Sequence, residues 1–281
     1  MPASVEVVRY TAFATDPSLG NPAGVVMDAA GLSSKEMLAV AAEVGYSETA
    51  FVTGPIDDNG SFPLRYFSPL EEVTFCGHAT IATAAALAEH VGIGTYTAQI
   101  AAGPVIIEAA RTSDGPRGSF DSPPTGTLDL PQDRLAILLD CLGWDSAALD
   151  ASWRPGVGVC GNQHPVLVAR SVGQLAHFSY DFNRLQAVSR EFNWQTIQIV
   201  ARTGEGTWRS RNPFPLGGVV EDPATGSAAA AFVGYLRAQG ELGEGDRLII
   251  DQGVEMGRHS RIEVDVLADR ARISGVCSAL A

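Results

Sequence analysis

With 281 residues and 46% hydrophobic side chains, the chain has enough apolar material for two domains with cores of their own, and disorder is excluded. A net charge of −13 at pH 7 disfavours nucleic acid or an anionic membrane surface as a partner, while leaving room for a local anion site. No apolar run reaches the roughly 20 residues of a membrane span, and residues 1–10 lack the apolar core of a signal peptide, so a cytoplasmic location is expected.

Strands are expected at residues 4–10 and 23–27, joined by a loop holding Gly20-Asn21-Pro22. Ser33-x-x-Glu36 is a capping-box pattern with Met37, Leu38, Val40 and Ala41 following at helical spacing, which predicts a helix ending near Gly45. Residues 48–52 and 64–67 read as strands, 69–74 as a loop, and the Ala-rich stretch from Gly77 to His90 as a helix packed on all sides. Strands at 96–100 and 105–110 follow. Residues 112–127 are rich in turn formers and predict the crossing between two halves. Beyond it a helix at 133–141, strands at 156–160 and 165–169 and a helix at 182–192 are expected. Strands at 197–200 and 208–211, a second Ala-rich helix after Gly226 and strands at 247–251, 262–266 and 271–276 complete the chain.

The two Ala-rich helices open alike, on Cys76-Gly77-His78-Ala79-Thr80 and on Glu221-Asp222-Pro223-Ala224-Thr225-Gly226-Ser227, with Gly77 and Gly226 149 positions apart. Upstream, residues 39–52 align without gaps on 187–200, 148 positions later, with four of fourteen identical. Two matches in the same order at nearly one offset argue for an internal duplication, against chance identity in Ala-rich sequence. Two similar halves would then build a site from matched helix N-termini.

A helix N-terminus carries unpaired N–H groups and about half a positive charge, and glycine lets a ligand come close, so Gly77 and Gly226 are candidate anion-binding positions. The bland alternative is that both glycines only let the helix start tightly, with Asp222 as an N-cap. Glu48 stands where the second half has Thr196, so the duplication breaks at an ionisable group. A glutamate opening the apolar run Thr49-Ala50-Phe51-Val52 is expected to lose water and titrate closer to neutrality, as a general acid/base requires; a solvent-facing strand end is the alternative. His78 is a candidate for holding substrate or relaying a proton, or else a capping residue. Cys76 is a possible activated thiol or a small core side chain. The cysteines Cys76, Cys141, Cys160 and Cys277 and the five histidines show no metal-ligand spacing, so no metal site is indicated, although ligands from distant positions can converge. No G-x-G-x-x-G or G-x-x-x-x-G-K-[ST] run is present, which disfavours a nucleotide cofactor. Lys35, the one lysine, falls on a predicted surface helix and is a poor candidate for Schiff-base chemistry.

At these residues the chain resembles the PhzF (phenazine biosynthesis-like) family, which has the diaminopimelate epimerase-like fold. The similarity runs almost end to end. It rests on Gly20-Asn21-Pro22-Ala23-Gly24-Val25, Gly45-Tyr46-Ser47-Glu48-Thr49-Ala50-Phe51, Arg65-Tyr66-Phe67-Ser68-Pro69, the two helix-opening motifs and Gln252-Gly253-x-Glu255-Met256-Gly257-Arg258. The resemblance implies an α+β fold of two similar domains in pseudo-two-fold relation, each a β-barrel-like, mostly antiparallel sheet around a central helix, with the site in the cleft between them. The expected halves are 1–118 and 119–270, with the last strand near 271–281 returning to the first.

By the same resemblance, Glu48 matches the catalytic glutamate, and His78, Asp222 and Ser227 match substrate-holding positions beside the backbone N–H groups of Gly77 and Gly226. Ser47 and Asn21, inside shared motifs, are candidate substrate contacts. Asn162 is another, because Gly161-Asn162-Gln163-His164 is similar to the Gly-Asn-Pro-His loop of diaminopimelate epimerases. The implied activity is a cofactor-independent isomerase moving a proton on a small carboxylic or amino acid, with secondary metabolism as its implied setting, and a homodimer is expected by family analogy alone. One alternative is an amino-acid racemase or epimerase using Cys76 against Asp222, although the second cysteine of that chemistry is absent. The other is a non-catalytic small-molecule-binding protein. Departures from the family pattern at Arg211-Asn212-Pro213-Phe214-Pro215 and His259 bear on the substrate more than on the chemistry.

Overall fold

In the computed structural model, residues 5–281 are described, so the beginning of the first expected strand, at residue 4, lies outside them. The chain divides into two compact units, residues up to Asp121 together with Ser274–Ala281, and Ser122–Ile273. The architecture is α+β, with sheets wrapped on central helices. Among the described residues no helix is long and apolar enough to cross a membrane.

In the first unit, β1 (Val8–Ala12) and β2 (Asn21–Val26) pair antiparallel, and α1 (Ser34–Val44) leads to β3 (Thr49–Val52), parallel to β2. β4 (Ser61–Phe67) lies antiparallel to β3, and the two-residue β5 (Glu72–Val73) edges β4 just before α2 (Gly77–His90). β6 (Gly94–Ile100), parallel to β4, then β7 (Gly103–Thr112) and β8 (Gly115–Asp121) continue the sheet. The last strand of the chain (Ala271–Ala279) lies next to β8 and pairs with β1 from Tyr10↔Ala279 to Ala12↔Cys277, closing an eight-strand barrel. The closure removes every free edge from the ring.

The core of that barrel is α2. Its residues from His78 to Ala88 are all buried, and it packs on β1, β2, β3, β7 and β8. Alanine and threonine make this possible, because small side chains let the sheet approach from several sides. At Gly118 on β8 an added Cβ would stand 2.7 Å from Ala84 Cβ, so the strand touches the helix there and only glycine fits. The helix α1 sits outside. Its Met37 and Ala41 face Val26, Phe51 and Phe67, while the opposite face, with Lys35, is exposed. The capping box at Ser33 is present, with the Ser33 side chain accepting from the Glu36 N–H and the Glu36 carboxylate accepting from the Ser33 N–H.

The second unit repeats the order. After β9 (Gly126–Asp129) and α3 (Gln132–Cys141) come antiparallel β10 (Gly156–Cys160) and β11 (Asn162–Val168), the short α4 (Val172–Ala176) and α5 (Phe182–Phe192). β12 (Gln198–Gly204) runs parallel to β11, and β13 (Thr207–Arg211) antiparallel to β12. The two-stranded β14 (Pro213–Phe214) and β15 (Val219–Glu221) precede α6 (Gly226–Ala238), followed by β16 (Arg247–Gln252), parallel to β13, and antiparallel β17 (Ser260–Val266). The sequence parallel, antiparallel, parallel, antiparallel is that of β2, β3, β4, β6 and β7. α6 is buried from Ala228 to Leu236, and Gly158 on β10 plays the part of Gly118, since a Cβ there would meet Ala231 O at 2.6 Å.

The repeat is sharpest at α1 and α5. Both have 11 residues, and their ends differ by 148 positions at both termini. Their N-caps, Ser33 and Asp181, and their left-handed C-caps, Gly45 (φ 72°) and Asn193 (φ 57°), keep the same offset. The turn-rich stretch 112–127 contains the division between the two units, after Asp121, and also holds β8, which pairs with β7 in a hairpin. One expectation needs correction. Asp222 is not the N-cap of α6; Thr225 is, without a side-chain cap.

Candidate active site

Gly45 takes the left-handed conformation that ends α1, its N–H bonding Ala41 O, and the chain then turns through Ser47 into β3. β3 is buried along its whole length between β2 and β4, so Glu48, immediately before it, is held by a rigid strand. Its side chain is 17% exposed. On the facing helix, Thr80 Oγ1 donates to Cys76 O at 2.7 Å and lies 2.7 Å from the hydroxyl of Tyr66 on β4. Burial pushes the Tyr66 phenol above its usual range, so it stays protonated. This chain of bonds ties the first turn of α2 to the sheet.

The result is one cluster. Glu48 Oε2 lies 3.4 Å from His78 Nε2, and Ser47 Oγ lies 3.3 Å from the same nitrogen. Cys76 Sγ stands 3.4 Å from His78 Nδ1. His78 and Cys76 are buried, Ser47 is exposed and Gly77 half-buried, so the cluster is dry on one side and open on the other. The donor atoms of Glu48, Cys76 and His78 all fall within 4.8 Å of one another, a convergence that the spacing of cysteines and histidines did not reveal.

The start of α2 has a further property. Ser33, Ser171 and Asp181 all cap the helices they precede with a side chain, whereas neither Cys76 before α2 nor Thr225 before α6 does. An N-terminus without a side-chain cap leaves its partial positive charge to act on whatever anion approaches it. In the second unit Thr225 instead donates to Asp222 Oδ2 at 2.6 Å. Gln252 locks the arrangement, giving Nε2 to Asp222 O (2.7 Å) and to Thr225 Oγ1 (3.0 Å), with its Oε1 accepting from the Thr225 N–H (3.3 Å). Gly226 is buried there and Ser227 half-buried.

Ser47, Glu48, Cys76, Gly77 and His78 are thus together in the first unit, and Asp222, Gly226 and Ser227 together in the second. Asn21 and Asn162 open β2 and β11, each after a left-handed glycine, Gly20 (φ 69°) and Gly161 (φ 68°); Asn21 is buried and Asn162 exposed. Sequence reasoning missed Tyr66, Thr80, Thr225 and Gln252 as supports. All four lie inside motifs that had been singled out, so the signal was present without a role attached to it.

The second unit places Thr196 where the first has Glu48. Thr196 Oγ1 lies 2.9 Å from His164 Nδ1 and donates to Asn212 Oδ1 at 3.0 Å, in a fully buried network. Burial lowers His164 to about 3, so that ring is neutral, and its Nε2 has no partner among the described residues.

The family model for phenazine biosynthesis-like proteins (PhzC-PhzF) matches residues 10–279. The trans-2,3-dihydro-3-hydroxyanthranilate isomerase of Pseudomonas chlororaphis is 35% identical over 90% of this chain and 87% of its own. An uncharacterized isomerase of Deinococcus radiodurans is 32% identical over 96% and 90%. Among solved structures, a PhzF-family protein of Bacillus anthracis superposes with a TM-score of 0.85 at 26% identity, over 98% of this chain and 96% of that one. A probable proline racemase from Agrobacterium radiobacter K84 shares the fold, with a TM-score of 0.68 at 13% identity over 98% and 91%. With curated relatives at this identity carrying isomerase names, the chain is an isomerase, and it belongs to the phenazine biosynthesis-like (PhzC-PhzF) family.

Proposed function

We propose that the protein moves a proton on a small carboxylic or amino acid without a cofactor, with Glu48 as the acid/base. The observation that carries this reading is the carboxylate of Glu48 held 3.4 Å from His78 Nε2, beside a helix start that no side chain caps. In the proposed reaction Glu48 takes a proton from a carbon next to a double bond, the electron pair shifts along the substrate, and the Glu48 carboxyl, free to exchange with solvent, returns a proton at the far end. Composition is unchanged. Negative charge growing on the substrate oxygens in the transition state is met by the N–H groups at Gly77 and by His78, and a group that binds the transition state better than the ground state raises kcat. Asp222, Gly226, Ser227, Ser47, Asn21 and Asn162 are proposed as substrate-holding residues.

The relative named for trans-2,3-dihydro-3-hydroxyanthranilate supplies the substrate class proposed here, a small unsaturated carboxylic acid bearing amino or hydroxyl groups. A role in secondary metabolism, a cytoplasmic location and a homodimer belong to the same reading; light scattering of the purified protein tests the last.

A racemase reading, with Cys76 and Asp222 as the two bases, has one observation in its favour, the 3.4 Å approach of Cys76 Sγ to His78 Nδ1. The experiment that separates the two is proton exchange in deuterated water across a panel of small unsaturated and amino acids. Glu48→Gln should lose about 10²–10⁴-fold in kcat while still binding, and Cys76→Ser should lose much less. An active Glu48→Gln protein beside an inactive Cys76→Ser protein would sink the glutamate shuttle and promote the racemase.

A further inference from the structure

Glu48, Cys76 and His78 offer one carboxylate oxygen, one thiol sulfur and one imidazole nitrogen from two separate elements, and the three atoms lie within 4.8 Å of one another. Among the described residues no other group of three such side chains comes together in this way. Proton transfer by Glu48 gives no reason for a thiol in the trio. We propose that these three side chains form a zinc-binding site, and that Zn²⁺ held there switches the isomerase off.

The donor chemistry selects the ion. A thiolate with an imidazole favours zinc over magnesium or calcium, and one carboxylate completes a set of three ligands of the types zinc takes. The geometry is close to what zinc demands. Zinc bonds of about 2.0–2.3 Å in a tetrahedron put the donor atoms roughly 3.3–3.7 Å apart. Glu48 Oε2 and His78 Nε2 already stand 3.4 Å apart. Cys76 Sγ is 3.9 Å from His78 Nε2 and 3.4 Å from Nδ1, so the thiolate has to turn toward the Nε2 side of the ring to reach the ion.

The surroundings supply the rest. His78 and Cys76 are buried, which strips water from the ligands in advance, while Glu48 and the exposed Ser47 leave one approach open. The three protein ligands leave a fourth position for water. Zinc bound in this way takes up the carboxylate that the proposed reaction needs free, and it adds a positive charge beside His78. Binding of the ion stands on the ligand geometry alone; only the inhibition rests on Glu48 being the shuttle.

The test begins with chelator-treated full-length protein, titrated with Zn²⁺ by calorimetry and with Co²⁺ as a coloured stand-in. One ion per chain is expected, with a near-ultraviolet thiolate-to-cobalt absorption band. Cys76→Ala should abolish that band. Cys76→Ala and Glu48→Gln should each weaken Zn²⁺ binding by at least about 100-fold, since losing even a supporting partner of a metal ligand costs 10–100-fold. Glu48→Gln is the safer variant for folding because its side chain is the more exposed of the two. Turnover of the unaltered protein should fall with zinc occupancy and return with EDTA. No stoichiometric binding, or binding as tight in both variants as in the parent, overturns the proposal. A cobalt–thiolate band in a protein whose Glu48→Gln form is fully active would establish the site and overturn the shuttle reading.

Discussion

In the first unit the chain leaves α1 through left-handed Gly45 and reaches Glu48 three residues later, with His78 across from it. In the second it leaves α5 through left-handed Asn193 and reaches Thr196, with His164 and Asn212 as its partners. The backbone leaves an 11-residue helix through a left-handed residue in both units. What differs is the side chain delivered to that fixed point. A carboxylate in a half-dry place gives up hydration, whereas a threonine satisfies its hydroxyl with two neutral neighbours. The frame is therefore set by burial, and the proposed chemistry by a single residue on it. A second difference follows the same line. Arg65 on β4 holds Glu72 just before α2, and Arg211 on β13 holds Glu221 just before α6. The first pair is 31% and 40% exposed, the second 10% and 6%.

The largest contrast should come from matched substitutions at the fixed point. Glu48→Gln is expected to cut kcat by about 10²–10⁴-fold with little loss of stability. Thr196→Val should change kcat by less than about tenfold, yet cost about 1–3 kcal/mol of stability by taking the partner from His164 Nδ1 and Asn212 Oδ1. Exchange in deuterated water and urea unfolding measure the two quantities. Equal kinetic losses at the two positions would remove the distinction between a chemical unit and a structural one.

The ion pairs give the next effect. Arg211 also donates to Leu175 O (3.1 Å) and Ala176 O (3.2 Å), so Arg211→Gln strands a buried carboxylate and two carbonyls. About 3–5 kcal/mol should be lost in denaturant unfolding. At the half-buried Arg65, the same change should cost no more than about 1 kcal/mol.

His164 predicts a pH dependence specific to the second unit. Its folded value of about 3 lies below the unfolded value near 6.5, so the unfolded chain takes up a proton that the folded chain refuses. The stability it contributes is present above pH 6.5 and is lost as pH falls from there toward 3, by up to about 1.4 kcal/mol per pH unit. A His164→Gln protein should show a shallower acid limb between pH 6.5 and 4 in unfolding experiments; an unchanged slope would assign acid sensitivity elsewhere.

The smallest effect belongs to the caps. At Gly45 an added Cβ meets nothing within 4 Å, so Gly45→Ala tests the left-handed backbone alone and should lower stability by about 1–2 kcal/mol. Asn193→Gly should shift it by less than about 0.5 kcal/mol, since both residues accept that conformation. Thermal melts resolve the pair.

Much of the fold was legible because it is written in local terms. The Ser33 capping box, the stop at Gly45, the alternation in the strands and the Ala-rich composition of α2 and α6 each reflect short-range sterics or burial on one face. The helix at 182–192 was placed on its observed bounds for the same reason. The candidate residues Glu48, His78 and Cys76 were legible through shared motifs. Strand ends were less so: β12 runs on to Gly204 and β4 begins at Ser61, because a ladder partner, and not the local sequence, decides where a strand stops.

By itself the sequence determined most of the longer elements, the repeated order of helix and strand and the unequal residues at Glu48 and Thr196, since these depend on neighbours along the chain. Only the tertiary structure decided that Glu48, Cys76 and His78 converge, that Tyr66 and Thr80 pin the start of α2, and that one Arg–Glu pair is buried while its counterpart is wet. Those are distances between residues far apart in the chain, and they exist only once the barrel has closed around its helix.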